Sequence, residues 1–94
     1  MAILHLTGEL TIYVAAERKP EILAVLADSE NEINLSGVTE IDGAGLQLLI
    51  LAKREAMMAG KVLRLTEHSS AVQEVLDLTG LASEFGDPVL LVGA

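Results

Sequence analysis

Two carboxylates, Glu40 and Asp42, stand two positions apart just ahead of an apolar stretch. On an extended backbone this spacing turns both side chains to one side, as paired carboxylates in general acid–base catalysis require. A structural role competes for the same residues. Asp is a favoured helix N-cap, and negative charge is stabilised at a helix N-terminus. Asp42 is therefore read as a cap and Glu40 as a solvated acid. His5 and His68 fall in no Ser-His-Asp or metal-ligand spacing, and each is read as a surface or hydrogen-bonded structural residue. There is no cysteine, and two histidines cannot complete the three or four ligands of a zinc site. Gly43-Ala44-Gly45 opens a helix after a strand-like segment, as dinucleotide-binding glycine loops do. Leu48 takes the place of the third glycine, however, and no P-loop lysine pattern occurs. The expectation is a protein with no catalytic residue, metal or cofactor: not an enzyme.

The bulk composition points the same way. The chain has 94 residues, 51% of them apolar, with one Phe, one Tyr and no Trp. That length suits one domain with a full core, expected over residues 1–94, and needs neither metal nor disulfide. Six basic against fourteen acidic residues leave a formal charge of −8, which opposes nucleic acid and anionic membrane surfaces as partners. The longest uncharged apolar run, Gly43 to Ala52, would make about 15 Å of helix, half of what a bilayer core requires. The N-terminal residues lack the basic segment of a secretory signal. A soluble, cytoplasmic protein without membrane insertion is expected.

Ile3–Leu6 and Leu10–Tyr13 are short, β-prone segments separated by Thr7-Gly8-Glu9, which predicts an opening hairpin. Val14 to Asp28 is rich in Ala and Leu, with Ile22, Leu23 and Leu26 on one helical stripe. Pro20 interrupts it, so either the regular helix starts near Arg18 or Lys19 or it is kinked. Glu32 to Ser36 alternates as a strand closed by Gly37. The strongest helix runs from the Asp42 region to Ala59, with Gly60 at the left-handed C-terminal position. Lys61 to Thr66 reads as a strand, and Ser70-Ala71-Val72-Gln73 as a capping box. The helix that follows buries Val72, Val75, Leu76 and, at its edge, Thr79, and ends at Gly80. A Leu81–Phe85 turn and a terminal strand over Pro88–Val92 complete the order β β α β α β α β. Such alternation predicts an α/β fold with a mixed sheet and helices covering at least one face.

On the central helix, Gly45, Leu48, Leu49, Ala52, Ala56 and Ala59 share the side expected to face the sheet. Leu46, Ile50, Lys53 and Met57 border it. The opposite side holds Gln47, Leu51, Arg54, Glu55 and Met58. Leu51 and Met58, in line with an Arg between them, resemble a small docking stripe. The alternative is a rotated helix that packs both inside, because Leu and Met do not report their own orientation.

The run from Leu35 through Asp42-Gly43-Ala44-Gly45 to Leu46, then Gly60–Leu65, then Val72–Leu81, resembles the STAS domain family in order and spacing. The likeness extends from about Ile3, with Gly8-Glu9-Leu10 fitting the family's opening turn. It implies a four- or five-stranded mixed sheet with helices mainly on one face, and a binding module without catalytic residues. In the phospho-switched anti-sigma factor antagonists of this family, Asp-Ser-Ser/Thr-Gly opens the central helix, and its second hydroxyl is phosphorylated by the partner kinase. In this chain the Asp and Gly correspond to Asp42 and Gly45, while Gly43 and Ala44 replace both hydroxyls. No phosphorylation is expected at Ala44. Thr39 and Ser36 are the nearest hydroxyls.

A partner-binding surface is therefore expected at Asp42, Gly43, Ala44, Gly45 and Leu46, continuing along Gln47, Leu51, Arg54 and Met58. Unpaired amides at a helix start, with almost no side chains over them, suit close approach by another backbone. By resemblance the partner is an anti-sigma-type kinase, another histidine-kinase-like protein or a chemotaxis-type protein, in bacterial signalling. The alternative is the STAS subunit of an ABC transporter for lipid asymmetry, whose partner is the ATPase. A third reading, a nucleotide phosphate on Gly43–Gly45, is opposed by the charge of −8.

Overall fold

The computed structural model describes residues 1–80. Their order is β1 (Ala2–Leu10), α1 (Ala15–Ala24) with a 3₁₀ turn at Val25–Ala27, β2 (Glu30–Ile41), α2 (Gly43–Met58), β3 (Val62–Thr66) and α3 (Ser70–Thr79). The three strands form one sheet in the order β1-β2-β3, and both pairings are parallel. Parallel neighbours need crossover connections, which α1 and α2 supply. The expected Leu81–Phe85 turn and Pro88–Val92 strand lie outside the described residues.

Strand residues alternate between a buried and an open face. Leu6, Leu10, Ile33, Leu35, Leu63 and Leu65 point into the core, while Ile3, His5, Thr7, Ser36, Val62 and Arg64 are exposed. The described helices cover the first face, giving the expected α/β arrangement with helices on one side. Ile22 and Val25 from α1 and its 3₁₀ turn, Leu46, Leu49 and Ile50 from α2, and Val72 and Leu76 from α3 close one continuous core.

The opening hairpin does not form. Ala2–Leu10 is one strand paired to β2, and Gly8 is absorbed within it at φ +79° beside a register shift between Gly8 and Glu9. The chain reverses only after Leu10, where the Val14 amide donates to the Thr11 carbonyl at 3.0 Å. Ile12 and Tyr13 belong to this turn rather than to a strand. The sheet is accordingly all parallel, not mixed, over the described strands.

Three further boundaries differ. Gly37 does not end β2; it lets Thr7 pack against it, where a Cβ would meet Thr7 Cγ2 at 2.6 Å, and the strand continues to Ile41. Helix α1 starts at Ala15 and carries Pro20 in its interior, so the Ala16 carbonyl receives no amide from that position. The cap of α3 is Ser69, one residue earlier than expected, whose Oγ accepts from the Val72 amide at 3.3 Å. Thr79 is exposed and Val75 half-buried. The end of α2 is as expected: Gly60 has φ +69°, the Gly60 amide donates to Met57 O at 3.2 Å and the Lys61 amide to Ala56 O at 2.8 Å.

Candidate functional site

The carboxyl ends of parallel strands, where loops lead into helices, are the usual place for binding on such sheets. Here the end of β1 turns through Thr11–Val14 into α1, and the end of β2 passes through Asp42 into α2. Asp42 joins the two. Its Oδ1 accepts from the Gly45 amide at 3.0 Å, capping α2, and its Oδ2 accepts from the Ile12 amide at 3.0 Å. Its own amide donates to Leu10 O at 3.4 Å. The Ile12 and Gly45 amides hold the Asp42 carboxyl below its ordinary value, because both bonds favour the ionised form. A carboxylate engaged this way is a clamp, not a general acid. Glu40, its sequence neighbour, is exposed and sits opposite Glu9 in the β1–β2 register.

The Asp42–Leu46 segment divides by direction. Gly43 is exposed, and a Cβ placed there would meet nothing within 4 Å. Ala44 is half-buried. Gly45 instead faces the end of β1: a Cβ there would lie 2.0 Å from Leu10 O and 2.9 Å from Leu10 C. Leu46 is only 1% exposed and belongs to the core. Gly45 and Leu46 therefore offer no outward surface, a correction to the expected contact set. The reason is that α2 enters directly over β1, which draws its third and fourth residues inward.

Along α2, Gly45, Leu49, Ala52 and Ala56 face the sheet as the periodicity predicts. Leu46 and Ile50 join them, while Leu48 stays half-buried and Ala59 exposed, so the buried stripe is turned toward the Leu46–Ile50 side. Gln47, Arg54, Glu55 and Met58 are exposed, and Met58 is 83% so. Leu51 is half-buried because α1 packs alongside. Between α1 and α2 runs an open groove of about 340 Å³, lined by Ala15 and Lys19 on one side and by Ala44, Gln47, Leu51 and Arg54 on the other.

The hairpin expectation hid part of this surface. Ile12 and Tyr13, 66% and 88% exposed, sit on the turn that Asp42 holds against the start of α2. The available signal was two large apolar residues followed by an alanine-rich helix, which strand propensity outweighed. The histidines take no part. His5 lies on the open sheet face, and His68 is buried with Nε2 at 3.1 Å from Leu65 O. No cluster of three or more His, Cys, Asp or Glu that could hold a metal occurs among the described residues. No helix among them is long and apolar enough to cross a membrane.

This fold is shared with solved structures, among them the three that follow. One is an anti-sigma factor antagonist from Mycobacterium paratuberculosis, with TM-score 0.73 and 24% identity over 98% of this chain and 76% of that one. Another is a sulfate transporter family protein from Wolinella succinogenes, with TM-score 0.74 and 20% identity over 96% of this chain and 75% of that one. The third is the anti-sigma factor antagonist SpoIIAA in its unphosphorylated form, with TM-score 0.70 and 19% identity over 96% of this chain and 77% of that one. At sequence level, residues 1–92 match the family described as "Mlab, STAS domain". The fold, the helix-opening Asp42 and the sequence match agree, and the chain belongs to the STAS domain family.

Proposed function

We propose that this chain is a non-catalytic, cytoplasmic protein-interaction module of bacterial signalling, similar in role to anti-sigma factor antagonists, that binds a kinase-type or chemotaxis-type partner. Its contact surface is the start of α2 at Asp42, Gly43 and Ala44, the outward face at Gln47, Leu51, Arg54 and Met58, and the neighbouring Ile12 and Tyr13. One observation carries the reading: two large apolar side chains, 66% and 88% exposed, stand on a turn fixed to that helix start by the Asp42 carboxylate. Adjacent large apolar residues held exposed, rather than scattered singly, are characteristic of interaction sites. Binding would not be switched by phosphate at the helix start, since neither Gly43 nor Ala44 has a hydroxyl to esterify.

The match to the "Mlab, STAS domain" description favours a second reading, the STAS subunit of an ABC lipid-asymmetry transporter. Both readings use the same surface and differ in what is bound. Tagged full-length protein captured from its native organism distinguishes them: a kinase-like protein supports signalling, and an ABC ATPase with its permease supports transport. Ala44→Glu and Leu51→Asp should each abolish capture while the fold persists, because an acid near a helix N-terminus is tolerated and Leu51 is outside the core. Undiminished capture by both variants would move the interface elsewhere.

A further inference from the structure

We propose that β1 pairs edge to edge with β1 of a second copy, antiparallel and centred on Leu4, joining the two sheets into one. This interface is separate from the docking surface above and does not rest on it. β1 is an edge of the described sheet, with β2 as its one neighbour among the described strands. The described residues with further interactions, Lys53, Arg54, Leu65 and His68, all lie outside it. An open edge presents unpaired N–H and C=O groups and accepts another strand unless Lys, Pro, a bulge or a covering element blunts it. Ala2–Leu10 contains no Lys, Arg or Pro, and Glu9 is its only formally charged residue. The extra residue at each register shift falls on β2: His5 to Thr7 faces Asn34 to Gly37, and Gly8 to Glu9 faces Val38 to Glu40. β1 itself therefore keeps a strict alternation.

Alternation fixes which backbone groups point outward. Leu6 O is turned toward β2, 3.3 Å from where a Gly37 Cβ would stand, and the next carbonyl, Thr7 O, is turned away and accepts from Arg18 Nη2 at 2.6 Å. Two and four residues earlier, His5 and Ile3 share the Thr7 direction, so their N–H and C=O groups face outward. Arg18 closes the edge at Thr7 and leaves Ala2–Leu6 open. That stretch is its own complement. With Leu4 opposite Leu4, Ile3 of each chain faces His5 of the other, and each such pair exchanges both of its N–H···O bonds. Centring on His5 instead would call on Thr7 O, which Arg18 holds, and centring on Ile3 would carry His5 past the start of β1. Charge permits the contact. Each copy carries −8, yet residues 1–8 include no carboxylate, and charges farther than about 8 Å are screened at 0.15 M ionic strength. Pairing covers Ile3, 53% exposed, on the open face and Leu4, half-buried against the core, on the helix-covered face.

A chain without cysteine makes the register directly testable. In a non-hydrogen-bonded antiparallel pair the Cα atoms lie about 4.5 Å apart, within reach of a disulfide. Leu4→Cys should therefore give a covalent dimer of the full chain under mild oxidation with diamide. Thr7→Cys, exposed on the same strand, is the control: the register places its two copies about 20 Å apart, so it should stay monomeric. Sedimentation velocity of the parent chain should show a species of twice the chain mass whose share rises with concentration. His5→Pro removes an outward amide from each chain at a position where an edge strand tolerates Pro. It should stay monomeric, with the circular dichroism and partner capture of the parent. Should Pro prevent folding, the two cysteine variants carry the decision. A monomer at every concentration, equal cross-linking of the two cysteine variants, or a dimer that survives His5→Pro would overturn the assignment. So would a Leu4→Cys chain that joins a different protein in cell extract in place of its own copy, which would give the edge to a foreign strand.

Discussion

Gly45→Ala offers a test in which local propensity and tertiary packing predict opposite signs. Inside a helix, Ala is favoured over Gly by roughly 0.5–1 kcal/mol, so propensity alone predicts a more stable protein. The structure predicts the reverse. A Cβ at position 45 would sit 2.0 Å from the Leu10 carbonyl oxygen and 3.0 Å from Leu10 Cγ. A backbone oxygen at the end of a paired strand cannot swing away as a flexible side chain can, so α2 must shift by more than 1 Å. Overpacking of this kind costs about 1–3 kcal/mol. The shift also removes the 3.4 Å bond from the Asp42 amide to that same oxygen, at about 1 kcal/mol for a backbone hydrogen bond. Less the propensity gain, the net loss is about 1–3.5 kcal/mol, which for a domain of this size lowers Tm by roughly 4–28 °C.

Gly43→Ala is the matched control two residues away. Nothing lies within 4 Å of its Cβ, and its φ is not in the left-handed region, so it should gain about 0.4–1 kcal/mol by restricting the unfolded chain. Urea unfolding followed by far-UV circular dichroism measures both; with no Trp and Tyr13 exposed, intrinsic fluorescence would report little. Stabilisation by Gly45→Ala, or equal effects of the two substitutions, would refute the packing argument and with it the account of why the third residue of α2 has no side chain.

Asp42 should leave a signature in acid. Its folded-state pKa is depressed, so its contribution to stability is complete above the unfolded value of about 3.9 and is lost as pH falls below that toward the folded value. Asp42→Asn keeps an acceptor for the cap but no titration; its Tm should vary less between pH 2 and 5 than that of the parent, and parallel curves would count against the clamp. Gly60→Ala, forced to φ +69°, should cost about 1–2 kcal/mol, read as a Tm lowered by at least 4 °C. Tyr13→Ser should change stability by no more than about 0.5 kcal/mol, as an exposed substitution, yet weaken partner capture measurably. Unaltered capture would remove the β1–α1 turn from the interface.

How much of this was legible in the sequence depended on whether the deciding interaction was local. The C-terminal end of α2 at Gly60, the cap at Asp42 and the alternating strand over Lys61–Thr66 are set by residues within a few positions of one another, and they appear where expected. The opening hairpin failed because Thr7-Gly8-Glu9 is a good turn in isolation, but parallel pairing of the whole of β1 with β2 outweighs it. That pairing spans some thirty residues, from Ala2 with Asn31 to Leu10 with Ile41, and no local pattern encodes it. Gly37 misled for the same reason: the need for a glycine came from Thr7 on the neighbouring strand, not from a turn.

The same distinction governs the site. Periodicity could place Gln47, Arg54 and Met58 outside, since three successive turns of helix repeat the same pattern. It could not place Leu46, which precedes any full turn and whose burial follows from where α2 crosses the end of β1. Nor could it bring Ile12 beside Asp42, thirty positions away, because that contact is a backbone amide meeting a carboxylate and carries no side-chain signature in Ile12. The consequence is a division of labour within five residues: Asp42 and Gly45 fasten α2 to β1 and its turn, Leu46 anchors the core, and only Gly43 and Ala44 carry no structural duty. Substitutions at the first three should therefore act through the position of the helix start, and those at the last two by direct obstruction. A lost contact rescued by a compensating change in a partner residue is possible only for the second kind.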